Sequence, residues 1–422
     1  MITKLICAVS SSLKCLTRTR RISFGLVVLR MVSVYNRSTV KFKLVVLSFI
    51  LMLPALLPCY SAEEKRLDSV QSERLSVGKI GMVAYMLEGK KKSEKDWLAA
   101  LTGMKELGVQ VVEVGQLSWV DLEPEEGKYN WTYAEKVLRI NKEKNLGFSI
   151  VADIGMFINP GLNGKPKLPG YLKKLDFDDP RVIKALSNLY IEFLKLEGAD
   201  NVHYLFQHFE NADASFKGKE ENRAKVKKLL VESFKAAKKV RPDLKTGVCI
   251  EDYKGDDHWP ERQMDEWNHD IGCDVIPIIS FSPTNFKKSA REELNAILKY
   301  AKGKPVALNE FWLHSSKKAD SSPEQQSEFI KESFSLLKDH YKDIEFVTWY
   351  EYKDLDWFTA KFIGAYLSFV CLNPFSASHF EHRMGSCGLF SNDGKPKPAA
   401  KTWIDEVKKY YQFRKQAQKP AI

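Results

Sequence analysis

The first 61 residues contain no aspartate or glutamate, although they carry nine lysines and arginines. This imbalance accounts for most of the formal net charge of +11, because the rest of the chain has 56 basic and 54 acidic residues. A nearly neutral body offers no basic surface of the kind that binds nucleic acid. The sequence therefore predicts no nucleic-acid partner.

The sequence also lacks an apolar run long enough to serve as a permanent membrane anchor. The apolar runs at 44–57 and 362–372 are 14 and 11 residues long, whereas a spanning helix needs about 20. The run at 44–57 follows three basic residues and precedes small residues, which is the pattern of an export signal. We therefore interpret residues 1–61 as a targeting segment, with Met31 as the better start, and expect a secreted, periplasmic or cell-surface protein without a stable membrane span in its mature form.

Cysteine is scarce, and its spacing matches no zinc-binding pattern. Four of the seven cysteines follow the targeting segment: Cys249, Cys273, Cys371 and Cys387. Export to an oxidising compartment favours a disulfide between the last two, which share one long loop, while four buried free thiols are nearly as well supported. The few histidines do not follow strands at regular positions. The sequence therefore predicts no metal and no cofactor.

The body of the chain alternates short apolar runs with amphipathic stretches. After a polar linker at 62–78, eight apolar runs each precede a stretch of helical periodicity, the pattern of a parallel sheet with helical crossovers. We predict an α/β protein with one (β/α)8 TIM barrel over residues 79–412 and a basic C-terminal tail at 413–422. Ser93 and Asp96 predict a capping box, and Pro180 predicts a helix start.

Two glutamates come at the ends of predicted strands. The run K-P-V-A-L-N-E-F-W at 304–312 is typical of a buried strand that ends on Glu310, and the strand at 202–207 continues into H-F-E-N with Glu210. Barrel enzymes place their chemistry at the carboxyl ends of the strands. Two carboxylates about 5 Å apart cleave a glycosidic bond with retention of configuration, because one protonates the leaving oxygen while the other attacks. We therefore expect Glu210 and Glu310 to face each other across one cleft.

These residues and two further segments carry a resemblance to a known family. The segments L-S-W-V-D-L-E-P-E-E-G-K-Y-N-W at 117–131 and G-L-F-S-N-D-G-K-P-K-P-A at 388–399 resemble retaining glycoside hydrolases of clan A, which include bacterial beta-galactosidases. The resemblance covers roughly residues 79–411. It implies a β-glycosidase with Glu210 as acid/base, Glu310 as nucleophile and Trp349 as the floor of the subsite that holds the reacting sugar.

Other side chains near the same rim are candidate carbohydrate contacts, since aromatic faces pack against sugar rings and polar groups bind hydroxyls. They are Trp119, Asp153, Asn211, Trp312, Tyr350 and Trp357. Each tryptophan is equally compatible with core packing.

Two positions depart from the clan A pattern. Phe209 stands where the clan has an asparagine before the acid/base, and Phe281 stands where it has a tyrosine beside the nucleophile. These departures leave open a barrel that binds carbohydrate without cleaving it, unless Asn211, Asn309 or His208 compensates. An unrelated barrel lyase or isomerase is a third alternative, and the sugar, its linkage and the oligomeric state stay open.

Overall fold

Nine parallel strands form one sheet in the computed structural model of the protein, which describes residues 78–84, 93–155, 168–208, 220–251, 259–279, 281, 290–370 and 377–417. The strands are β1 (Lys79–Val83), β2 (Val111–Ser118), β3 (Ser149–Gly155), β4 (Val202–His208), β5 (Lys245–Val248), β6 (Ile250–Glu251), β7 (Ile276–Ile279), β8 (Val306–Phe311) and β9 (Ile344–Trp349). Their order is β5-β4-β3-β2-β1-β9-β8-β7-β6.

The sheet is a nearly closed barrel. Only Cys249 separates β5, which pairs with β4, from β6, which pairs with β7. These two short strands are therefore the halves of one barrel strand, and the predicted count of eight is confirmed. A parallel sheet of this kind is buried on both faces, which explains why its strands are apolar runs rather than alternating ones.

Helices follow the strands, as the alternation in the sequence predicts. They are α1 (Glu94–Glu106), α2 (Trp119–Leu122), α3 (Thr132–Glu143), α4 (Pro180–Leu194), α5 (Glu220–Val240), α6 (Trp259–Gln263), α7 (Ala290–Tyr300), α8 (Pro323–Asp339), α9 (Trp357–Val370), α10 (Ala377–Met384) and α11 (Pro398–Ala417). Helix α6 continues into a π-helical segment, Met264–His269, and short 3-10 helices lie at Ala199–Asn201 and Lys317–Ala319. No helix among these described elements is long and apolar enough to cross a membrane.

The predicted helix starts are confirmed. At α1 the Ser93 side chain accepts a hydrogen bond from the Asp96 N–H, while the Asp96 carboxylate accepts one from the Ser93 N–H at 2.9 Å. Pro180 is the first residue of α4, where it needs no intrahelical partner for its nitrogen. Both ends are therefore fixed by local chemistry that the sequence contains.

Two hydrophobic layers stabilise the barrel. The outer core lies between the strands and the helices, and the inner core fills the barrel. The inner core consists of residues that point inward from the strands: Val111, Val151, Tyr204, Phe206, Cys249, Val275, Ile279, Ala307 and Phe346. Residues two positions apart on a strand share a face, so these positions identify which neighbours also point inward.

The predicted basic tail begins too early. Helix α11 extends to Ala417, and Arg414 is buried. Its guanidinium donates a hydrogen bond of 2.7 Å to the Gly78 carbonyl and lies over the Tyr410 ring. Residues 413–417 are therefore part of the barrel domain, because they cover the start of β1.

The favoured disulfide is not formed. Cys387 is a buried free thiol, as are Cys249 and Cys273, while Cys371 lies outside the described residues. Cys387 instead contacts the Arg383 carbonyl at 2.9 Å. The alternative expectation of buried free thiols fits these three cysteines.

Candidate active site

An irregularity near the end of β8 determines where Glu310 points. Leu308 and Phe311 both belong to the outer core although they are three residues apart, and the pairing of β8 with β9 shifts register between them. An inserted residue of this kind breaks the strict alternation of a strand and redirects the side chains that follow. The charge of the Glu310 carboxylate acts on Glu113 and Cys249 inside the barrel, and Glu310 is 7% exposed at the carboxyl end of the strand.

A ring of polar side chains caps the inner core at the same end of the barrel. Glu113, Asp153 and His208 each lie two residues after an inner-core residue, so they point inward from β2, β3 and β4. Asn309 has the same relation to Ala307 on β8. All four side chains are completely buried.

Asp153 is the centre of this ring. Its Oδ2 lies 2.8 Å from Nδ1 of His208, and its Oδ1 lies 3.9 Å from Sγ of Cys249. The Asn309 amide nitrogen lies 3.9 Å from the same sulfur. Side chains from three neighbouring barrel strands and from β8 therefore converge at one point beneath the rim.

Negative charge is concentrated in this ring. Burial raises the pKa of Glu113 well above its ordinary value, and the carboxylates of Asp153 and Glu310 raise it further. Burial also raises the pKa of the Cys249 thiol, with Asp153, Glu113 and Glu310 adding to the effect. The Glu113 carboxyl therefore holds its proton more tightly than an exposed glutamate does, and the thiol of Cys249 is not an activated nucleophile.

Two tryptophans predicted to contact sugar lie in the core instead. Trp349 is fully buried between Phe329 and Trp403, and its Nε1 donates to the Cys387 carbonyl at 3.2 Å. It shares a face with Val347, which belongs to the outer core, so it points toward the helices. The assignment of Trp349 as the floor of a sugar subsite is therefore wrong in this structure.

Trp119 is likewise a core residue. It is fully buried at the start of α2, and its Nε1 donates to the Glu123 carboxylate at 2.9 Å. Glu123 also accepts a hydrogen bond from the Gly127 N–H, so the tryptophan and the turn that follows are tied together. Trp119 stabilises this loop rather than contacting a ligand.

Trp312 and Tyr350 lie where they were predicted, just beyond the ends of β8 and β9. Their rings are 6.2 Å apart, and they are 6% and 8% exposed. The guanidinium of Arg383, from α10, lies 5.1 Å from the Trp312 ring centre. These aromatic groups pack with Val83 and Cys387 in a small hydrophobic cluster, and their role in sugar binding stays a prediction.

Phe281 packs in the outer core beside the end of β8. The ring is buried in the outer core and stacks on Phe311 at 6.3 Å, while the Phe281 N–H donates to the Glu310 carbonyl at 2.7 Å. Phe281 therefore supports the backbone of β8 where that strand ends.

The remaining predicted residues lie outside the described part of the chain. Phe209, Glu210 and Asn211 follow directly after His208, the last residue of β4. The expected separation of about 5 Å between Glu210 and Glu310 stays a prediction.

Glu113 is the site residue that the sequence prediction missed. An acidic residue within the otherwise apolar run V-V-E-V of β2 was a usable signal, because burial of a carboxylate is costly unless it has a partner or a function. Cys249 was considered only for disulfide pairing. Its position between β5 and β6 places it at the inner end of the site.

The comparisons with known proteins agree with this architecture. Residues 86–152 match the family model of glycoside hydrolase family 42, described as beta-galactosidase. This segment runs from just after β1 to the middle of β3, so it includes Glu113 and the predicted 117–131 motif. No curated protein sequence matches the chain significantly.

Solved structures with the same architecture are glycoside hydrolases. A GH5_18 protein from Bifidobacterium longum subsp. longum, in complex with Manb1-4GlcNAc, has a TM-score of 0.56 at 17% identity and covers 79% of this chain and 78% of its own. The exo-beta-1,4-mannosidase Op5Man5 from Opitutaceae bacterium strain TAV5 has a TM-score of 0.57 at 16% identity, covering 80% and 60%.

The fold is that of the glycoside hydrolase barrels. A family 39 glycoside hydrolase from Bacteroides cellulosilyticus WH2 is similar as well, with a TM-score of 0.53, 16% identity and coverage of 79% and 64%. The resemblance to clan A barrels is thus confirmed at the level of the fold, and identities this low carry no further assignment.

Proposed function

We propose that the protein is an exported glycosidase that cleaves β-glycosidic bonds with retention of configuration. The observation that supports this most is the position of Glu310 at the carboxyl end of β8, where it is nearly buried and its charge acts on the acidic cluster inside the barrel. Strand β4 ends at His208, so Glu210 follows two residues beyond the same rim.

In this mechanism Glu310 is the nucleophile, and Glu210 first donates a proton and later accepts one. The Glu310 carboxylate attacks the anomeric carbon and forms a glycosyl ester, while the Glu210 carboxyl gives its proton to the departing oxygen. The Glu210 carboxylate then takes a proton from water, whose oxygen attacks the same carbon and releases Glu310. Glu310 must be ionised and Glu210 must be protonated when the substrate binds, so the two carboxyl groups need different surroundings.

A β-linked hexose is the substrate class that we propose. The similar structures include a β-1,4-mannosidase and a complex with a β-mannosyl disaccharide, and the matched family model is that of β-galactosidases. Trp357, which follows the β9 loop at the start of α9, is 65% exposed and offers an apolar face beside the rim. Such a face suits a sugar ring beyond the one that reacts.

The experiment is a hydrolysis assay with nitrophenyl β-mannosides, β-galactosides and β-glucosides and with β-linked disaccharides. We expect Glu310→Gln to abolish turnover with little loss of affinity, and Glu210→Gln to slow substrates with poor leaving groups by roughly 100- to 10,000-fold. Glu345→Gln is the matched control, because Glu345 is a buried glutamate at the opposite end of β9. Full activity of Glu310→Gln would refute the assignment.

The second candidate is a carbohydrate-binding barrel without hydrolysis. The carboxyl of Glu113 faces the same cluster as Glu310, and a neighbouring acid opposes the ionisation that a nucleophile needs. Calorimetric titration with the same disaccharides separates the two candidates. Binding without turnover, unchanged in Glu310→Gln, would favour the binding protein.

A further inference from the structure

Three potential metal ligands meet inside the barrel mouth. Asp153, His208 and Cys249 come from β3, β4 and the junction of β5 and β6, and they are at most 1% exposed. One ligand atom from each lies within 4.8 Å of the other two. Donors bound to one zinc ion at 2.0–2.3 Å in a tetrahedron lie about 3.3–3.8 Å apart. The shortest contacts are 2.8 Å from His208 Nδ1 to Asp153 Oδ2 and 3.9 Å from Cys249 Sγ to the other oxygen, Asp153 Oδ1. Because the set of three ligand atoms lies within 4.8 Å, a modest closing of the three side chains would bring it to coordination distances.

The chemical types of the three ligand atoms indicate which metal ions could bind. A carboxylate oxygen, an imidazole nitrogen and a thiol sulfur form a mixed set, which suits zinc and its neighbours among the divalent transition metals. Calcium and magnesium take oxygen ligands almost exclusively, so this set does not suit them.

A second observation points to a ligand at the same place. The Asn309 side chain is fully buried, and its amide nitrogen lies 3.9 Å from the Cys249 sulfur. Its carbonyl oxygen, Oδ1, has no hydrogen-bond partner among the described residues. A buried acceptor without a partner is costly, so a native structure rarely keeps one without a reason. A bound cation, or water held by that cation, would supply the partner.

Glu113 is a buried acidic residue of the same cluster. Both of its carboxylate oxygens are buried and lack a hydrogen bond of strict geometry with the described residues, although the Asn309 and Thr348 side chains lie close enough to lower its pKa. The two buried arginines of the described chain bind elsewhere, Arg383 over Trp312 and Arg414 at the Gly78 carbonyl.

We propose that Asp153, His208 and Cys249 bind one divalent transition-metal ion, for which zinc is the best match, with Asn309 and Glu113 beside it. Binding releases the thiol proton to solvent and requires a neutral imidazole, since zinc coordinates thiolate sulfur and unprotonated nitrogen. The site does not contain Glu210 or Glu310, so it stands independently of the proposed hydrolysis. The sequence spacing gave no sign of it because the ligands are separated by 55 and 41 positions along the chain.

The test uses the whole mature chain, freed of metal and kept reduced. Calorimetric titration with zinc should show about one ion per chain, and cobalt should produce the near-ultraviolet absorption of a thiolate-to-cobalt bond. Cys249→Ser should abolish that absorption and weaken zinc binding at least about 100-fold. Cys273→Ser is the matched control, because Cys273 is an equally buried free thiol outside the cluster, and it should behave like the wild type.

A second variant keeps the test decisive if Cys249→Ser does not fold. Asp153→Asn preserves shape but removes the charge, and it should lose most of the zinc affinity and the rise in unfolding temperature that zinc gives the wild type. No stoichiometric zinc uptake by the folded wild type would overturn the proposal. Uptake that is unchanged in Cys249→Ser and Asp153→Asn would also overturn it, since the ion would then bind elsewhere.

Discussion

His314 should make the folded protein sensitive to mild acid. It lies in the loop after β8 and is completely buried, and neither ring nitrogen has a hydrogen-bond partner among the described residues. Burial, together with the nearby charges of Arg383, His379 and Lys397, lowers the pKa of His314 to about 4. The imidazole is therefore neutral in the folded state throughout the neutral range.

The direction of the effect follows from linkage. The unfolded chain takes up a proton at His314 near pH 6.5, whereas the folded protein does so only near pH 4. Stability is therefore fully present above pH 6.5 and is lost as the pH falls from 6.5 to about 4. That gap corresponds to about 3 kcal/mol at most, a large part of the stability of an ordinary domain.

Urea unfolding at pH 7, 6, 5 and 4.5 measures this loss. His314→Leu replaces the imidazole by an apolar group that cannot be protonated, so its free energy of unfolding should decline by about 2 kcal/mol less than that of the wild type over this range. His340→Leu, at a partly exposed histidine, is the control and should follow the wild type. Parallel losses in the wild type and His314→Leu would refute the reasoning.

Three further outcomes follow from the packing and charge of named residues. Trp349→Ala should lower the free energy of unfolding by about 3–5 kcal/mol in urea, since the ring fills the outer core against Trp403, whereas Trp349→Phe should lose much less; loss of sugar binding without loss of stability would contradict this placement. A chain ending at residue 412 should unfold at a lower temperature than the full chain, because it lacks Arg414; equal unfolding temperatures would show that residues 413–422 form a tail that does not stabilise the barrel. Since the folded pKa of Glu113 is raised, its ionisation costs stability as the pH rises above 4.5, so Glu113→Gln should gain in unfolding temperature over the wild type between pH 4 and 8; a constant difference would show that folding does not raise the pKa of Glu113.

The barrel could be predicted from the sequence, but the direction of each side chain could not. Strand and helix periodicity identified the eight strands, and it located Glu310 at the end of one of them. A parallel strand is apolar on both faces, so its sequence does not show which face is inward. Trp349 was misplaced for this reason, since only the position of Phe346 in the inner core shows that Trp349 faces the helices.

The site itself depends on contacts between distant parts of the sequence. The irregularity that redirects Glu310 leaves no signature in L-N-E-F, because it arises from pairing with β9. The convergence of Asp153, His208 and Cys249 arises from closure of the barrel, which aligns neighbouring strands that long crossovers separate in sequence. Local spacing cannot detect either feature.

The buried polar groups at the two ends of the barrel differ in how many hydrogen-bond partners they have. At the amino end, the Tyr204 hydroxyl and the Lys245 ammonium each donate to the Glu345 carboxylate at 2.6 Å, and Lys79 donates to the Tyr204 oxygen at 3.0 Å. Each of these groups thus has at least one partner within the protein, while the second oxygen of Glu345, Oε2, has none among the described residues. Polar groups that are paired in this way stabilise the fold and need no ligand.

At the carboxyl end, the acceptors exceed the donors that the described residues supply. Asn309 Oδ1 has no partner there, and the Glu113 carboxyl shares its surroundings with Asp153 and Glu310. Unpaired buried acceptors cost free energy, so they are expected where a bound group supplies the missing donor or positive charge. In the zinc proposal the ion supplies that group, and in the glycosidase proposal the hydroxyls of the sugar supply donors at the same mouth. Zinc titration in the absence of sugar and sugar titration in the absence of zinc therefore test the two proposals separately.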